Sequence, residues 1–184
     1  PTLNMSRILA YLDREDHRAD PALVYIGPGL RKTYDWRVER AAKATPAQVR
    51  ARHDEYELSL KVLPMLRDAG IPILAGTDAG YLNSFNYPGQ GLHDELARYV
   101  EAGLTPRQAL ASATITGPAF LGHSARYGAV ANGKAADILI LDANPLGDIA
   151  ATRSIRGVVL KGRWLDRAAL DALLAGAKAK ASGH

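Results

Sequence analysis

The residues best suited to chemistry stand at the end of an apolar run. Ile73, Leu74 and Ala75 follow Ile71-Pro72, the run breaks at Gly76, and Thr77-Asp78-Ala79-Gly80 closes it. A carboxylate delivered to the tip of a buried strand can bind a divalent cation or move a proton. It can equally cap the next turn, a common use of aspartate. The local residues leave both uses open. Gly76 and Gly80 give the backbone room to turn sharply around Asp78.

The histidines and loop tyrosines come next. His17 lies in DREDHRAD, where Asp16, His17 and Arg18 either contact a substrate or form a solvated charged loop. His93 opens HDEL, whose Asp94 and Glu95 suit the positive end of a helix, so His93 reads as a loop or cap residue. His53 falls on the apolar stripe of a long helix and reads as packed, while His123 and His184 suggest no site. Tyr11 and Tyr81 are loop aromatics that either line a pocket or anchor their loops.

The elements that must position these groups follow from capping and periodicity. Thr45-Pro46 with Gln48 is a capping box that opens a helix over 46–69, on which Val49, His53, Tyr56, Leu60 and Leu63 share one face. Pro64 should kink it, and Gly70 ends it. A strand is expected at Ile71–Ala75, then the loop YLNSFNYPGQG, then a helix over 93–102. Thr105-Pro106-Arg107-Gln108 repeats the capping box and opens a helix to about 113, with a short turn to Leu121. Residues 1–4 read as the end of a strand, and 5–44 as irregular with a short helix at 34–42. Past residue 127 the texture becomes β-rich: a strand at 137–141, a hairpin of 154–160 and 163–165 around Lys161-Gly162, then an amphipathic helix over 166–180.

Composition narrows the function classes. The 184 residues are 47% hydrophobic and 23% charged, an ordinary globular balance. Net charge is +4, but Arg31, Lys32, Arg37, Arg40, Lys43, Arg50 and Arg52 are dispersed among acids and apolar residues, so nucleic acid is not an expected partner. The absence of cysteine excludes disulfides and thiolate metal sites. No run approaches the ~18 apolar residues of a membrane-spanning helix, and the compartment stays open.

Three blocks in order tip the reading of Asp78: ILAGTDAG, then GLHDELARYVEAGLTPRQALASATITGPAFLG, then GAVANGKAADILILDANPLGDI with IRGVVLKGRWLD. The combination resembles the amidohydrolase superfamily of metal-dependent hydrolases, in its imidazolonepropionase and Xaa-Pro or Xaa-Arg dipeptidase-like branch. The resemblance covers nearly all of 71–165, and PTL at 1–3 looks like the end of the seventh barrel strand. It implies an α/β fold, the C-terminal part of a (β/α)8 barrel plus strands of a small β-sandwich. Residues 1–126 would be the last βα units, 127–165 the sandwich strands and 166–184 a terminal helix and tail.

The resemblance also implies chemistry. Asp78 matches the aspartate ending the eighth strand, which in the family binds the metal, takes a proton from the attacking water and passes it to the leaving amine. The cofactor would be a divalent metal, zinc above all, as one or two ions. The family's other ligands are histidines, and a bridging lysine or glutamate, on segments this chain does not contain. One carboxylate falls short of the three protein ligands of a catalytic zinc, so the chain alone is expected to be inactive. The expected partners are a small-molecule or dipeptide substrate and the missing N-terminal half of the barrel; a homo-oligomer is compatible with the sequence. Two alternatives stay open: a non-catalytic module or split-protein half that needs a complementary chain, and a phosphotriester or ester hydrolase of the same superfamily.

Overall fold

The computed structural model describes residues 1–80 and 83–183. Helix α3 (Pro46–Asp68) begins as its capping chemistry dictates. Thr45 Oγ1 accepts the Gln48 N–H at 3.3 Å, and Gln48 Oε1 accepts the Thr45 N–H at 2.9 Å. The helix continues through Pro64 as one element. Thr105 and Gln108 build the same reciprocal cap on α5 (Pro106–Thr114). Each such cap contributes about 1 kcal/mol.

The N-terminal quarter departs from the sequence reading. Leu3–Ala10 is a helix, α1, rather than a strand end followed by irregular chain. Two 3-10 turns, His17–Ala19 and Pro21–Tyr25, lead into α2 (Pro28–Ala42), which is longer than the expected helix at 34–42. Gly27-Pro28-Gly29 looks like loop sequence, yet it starts α2. Gly27 is extended at φ −66°, ψ 159°, and Pro28 takes the first-turn position where a missing N–H costs nothing.

The segment Ile71–Ala75 is also a correction, because no strand pairs with it among the described residues. Its backbone groups turn to other partners. The Ile71 N–H donates back to the Leu66 carbonyl and the Ala75 N–H to the Ser112 carbonyl, both at 3.0 Å. A strand exists only through its neighbour. Ile73 and Ala75 nonetheless pack on a core built by Leu3, Leu63, Leu96, Tyr99 and Ala109. A second core holds Ile8, Leu23, Ile26, Tyr34, Phe85 and Tyr87.

Helix α4 (Gln90–Glu101) starts one turn earlier than expected, after Gly89. His93 therefore lies inside the helix, where its Nδ1 is 3.0 Å from the Thr152 hydroxyl and burial lowers its pKa. A short helix α6 (Thr116–Phe120) follows α5.

The C-terminal region forms an antiparallel sheet of β1 (Ile138–Leu141), β2 (Ile155–Leu160) and β3 (Arg163–Leu165), in that order. Lys161 and Gly162 both take positive φ, 52° and 80°, which suits a two-residue hairpin turn. The Trp164 ring lies against Gly157, where any Cβ would collide with it. Leu139, Ile140, Leu160 and Trp164 remain exposed, so apolar side chains face solvent on both sides of the sheet. Helix α7 (Arg167–Ala181) closes the fold, capped by the Asp166 carboxylate on the Ala169 N–H at 2.8 Å. Among the described residues no helix is long and apolar enough to cross a membrane.

Candidate active site

Asp78 is exposed, and it sits where the extended segment leaves the core. The left-handed residue there is Asp78 itself, at φ 50°, flanked by Gly80 at φ 154°. Aspartate tolerates this region better than most side chains, and residues held in it cluster at functional sites.

A short loop after it holds the turn in place. The Asn83 side-chain amide donates to the Asp78 carbonyl, and the Asn86 amide donates to the Thr77 carbonyl. Asn86 is fully buried, and its Oδ1 accepts from Asn4 Nδ2 at 3.2 Å. Asn86 thus ties the start of α1 to the backbone one residue before Asp78. Gly91, in the first turn of α4, leaves the space that Asn86 fills.

Two residues one turn apart on α4 complete the tie. Glu95 is fully buried, and its carboxylate accepts the backbone N–H groups of Leu3 at 2.8 Å and Asn4 at 2.7 Å. These are unpaired donors of the first turn of α1. Burial raises the Glu95 pKa above the ordinary carboxylate value, against the two N–H groups, which pull it down. Tyr99, also fully buried, donates to the Pro1 carbonyl at 3.0 Å and lies 3.5 Å from the Leu74 carbonyl. Burial pushes its phenol pKa upward. Neither Asn86 nor Glu95 stood out in the sequence as a site residue, although Glu95 is the fully buried acid of the HDEL stretch.

His17 reaches the same loop from the other side. Its ring stacks on Phe85 with centroids 5.0 Å apart, and its Nδ1 lies 3.1 Å from Asp20 Oδ2. Tyr87 donates to that same oxygen at 2.9 Å. Phe85 holds φ 65°, rare for a bulky side chain, and is clamped between His17 and Tyr34, whose ring centroid is also 5.0 Å away. Asp78 and His17 therefore touch one loop, 83–87, the first at Asn83 and the second at Phe85. Asp16 pairs with Arg18 instead, and the Arg18 side chain and backbone N–H hold its pKa down at about 2.

Tyr11 belongs to a different surface. Its hydroxyl donates to Glu57 at 3.2 Å and its ring packs on His53, 4.9 Å away, against α3. His53 Nε2 lies 2.9 Å from Asp13, so His53 is packed, as its place on the helix stripe predicts. Tyr81 lies outside the described residues.

With this geometry in hand, the comparisons with known proteins become specific. The model of the amidohydrolase family matches residues 57–165, a span that includes Asp78, Asn83, Asn86 and Glu95. The chain belongs to the amidohydrolase family. Three solved structures share its fold. Bottromycin amidohydrolase superposes with a TM-score of 0.77 at 25% identity over 98% of this chain and 39% of its own. A Bifidobacterium longum protein assigned as a prolidase gives 0.60 at 30% identity, over 76% of this chain and 35% of its own. A Xaa-Pro dipeptidase with methionine bound in its active site gives 0.58 at 21% identity, over 90% and 34%. The chain thus spans well under half the length of each, within the Xaa-Pro dipeptidase-like branch that its motifs resemble. No curated protein matches the sequence.

Amidohydrolases typically act with divalent metals, and the residues described here do not make such a site by themselves. Among them, no three His, Cys, Asp or Glu side chains converge closely enough to hold an ion. Asp78 offers a single carboxylate.

Proposed function

We propose that this chain forms the last βα units and the C-terminal strands of a hydrolase of carbon–nitrogen bonds, with an amide or dipeptide as substrate. The observation that carries the reading is the superposition of nearly the whole chain on bottromycin amidohydrolase, with Asp78 inside the span of the family match, just after the extended run 71–75. Active sites of βα barrels gather where strands end and loops begin. In this reading Asp78 supplies one carboxylate ligand to a divalent-metal site, zinc above all, whose remaining ligands come from other segments. Its own chemistry is proton transfer: an Oδ atom accepts a proton from the attacking water and returns it to the departing amine. Asn83, Asn86 and His17 act behind it, fixing the loop that sets the carboxylate's direction.

The exposed apolar side chains favour a complementary segment packed on this chain. Leu58, Val62, Met65 and Ile71 present a hydrophobic face along α3 and the segment after it. Pro1, Leu3 and Leu66 extend that face into an open groove. The remainder of a barrel would cover it, pair the unladdered 71–75 segment and give β1–β3 their sandwich partners.

Asp78→Asn in the full-length enzyme tests the reading. Asparagine tolerates the same backbone conformation, so the expected result is loss of turnover by about a hundredfold or more with an unchanged melting temperature. Near-normal hydrolysis by that variant would overturn it.

A further inference from the structure

A cleft of about 330 Å³ opens between α1, α2 and α3, away from the loop that holds Asp78. Among the described lining residues, Arg37 and Arg40 from α2 and Arg52 from α3 stand with one acid, Glu55. Leu9 of α1 supplies part of an apolar wall. Arg37 is half-buried, and Arg40 stacks over the Trp36 ring with its guanidinium 5.4 Å from the centroid. Burial, then the charges of Arg40 and Arg52, pull the Arg37 pKa below the usual guanidinium value. Gathering like charges around one concavity costs free energy, and an anion in the concavity offsets that cost.

We infer that this cleft is a binding site for a small oxyanion carrying two or more negative charges, held by Arg37, Arg40 and Arg52. Guanidinium groups present planar forks that match phosphate and carboxylate oxygens in pairs. The volume lies at the small end of small-molecule pockets and leaves room for more than one anionic group. A phosphate ester, a pyrophosphate and a polycarboxylate share the required chemistry. A nucleic acid does not suit it, because a polymer needs a continuous basic stripe and these charges line a single cleft.

Calorimetric titration of the full-length protein with pyrophosphate, citrate and a short duplex oligonucleotide tests the site. One-to-one saturable binding of pyrophosphate or citrate is expected, and the preferred anion identifies phosphate or carboxylate recognition. Arg40→Gln and Arg52→Gln should each weaken that binding by about tenfold or more. Glu55→Gln, which removes an acid from the cleft lining, should strengthen it several-fold; this opposite sign keeps the test decisive even where an arginine variant folds poorly. Absence of saturable binding by both small anions, binding of the oligonucleotide alone, or affinity unchanged or weakened by Glu55→Gln would each overturn the inference. None of these readouts uses hydrolysis, so the outcome is independent of the role given to Asp78.

Discussion

Gly91 has no Cβ because the Asn86 side chain occupies that space: a methyl group there would sit well inside van der Waals contact with Asn86 Oδ1. Asn86 is thereby pressed between α4, the Asn4 side chain and the Thr77 carbonyl. Gly91→Ala should displace it and cost about 1–3 kcal/mol, as overpacking does. Asn86→Ala should cost a similar amount, through the unpaired Thr77 carbonyl and Asn4 amide. Because both act on one contact, the double variant should lose much less than their sum. Urea denaturation of the four proteins in that cycle measures the coupling, and simple additivity would show that Asn86 does not carry the tie.

Glu95 makes stability depend on pH in a defined direction. Its folded-state pKa is raised by burial above its unfolded value. The folded protein then binds more protons than the unfolded chain between the two values. The contribution is complete below the ordinary glutamate value and is lost as pH rises through the raised one. Denaturation of the parent and Glu95→Gln across pH 4 to 8 should show the parent's advantage shrinking as pH rises, with no matching slope in the variant. A gap that widens with pH would reverse the assigned shift.

The shared oxygen of Asp20 couples Tyr87 to His17. Tyr87→Phe should cost about 1 kcal/mol for the lost hydrogen bond. His17→Phe keeps a ring against Phe85 but removes the Nδ1 contact. In a double-variant cycle the two should be non-additive by about 0.5 kcal/mol or more. Thermal unfolding followed by near-ultraviolet circular dichroism, which reads the aromatic cluster directly, supplies the measurement.

Where structure follows from chemistry within a few residues, the sequence shows it. Thr45 with Gln48 and Thr105 with Gln108 announce helices that begin where those caps stand. Lys161-Gly162 announces the hairpin. Helix α1 was illegible for the opposite reason. Thr2 makes no side-chain cap, and the group that satisfies its first turn is Glu95, on another helix. Asn86 was hidden in the same way, since its partners are Asn4 and Thr77 rather than its neighbours. Asp78 could be picked out because an apolar run ends at it. The residues that aim it could not, because they meet only through tertiary contacts.

The bond from Asn4 to Glu95 spans 91 positions of chain. On a ribosome adding ~5–20 residues per second, the two ends appear about 5–20 s apart. For that interval the first turn of α1 has its donors exposed and no carboxylate to receive them. The N-terminal segment therefore waits, open to capture by chaperones or by neighbouring chains, until α4 has been made. Synthesis rate across residues 4–95 becomes a variable in how much native protein a cell recovers.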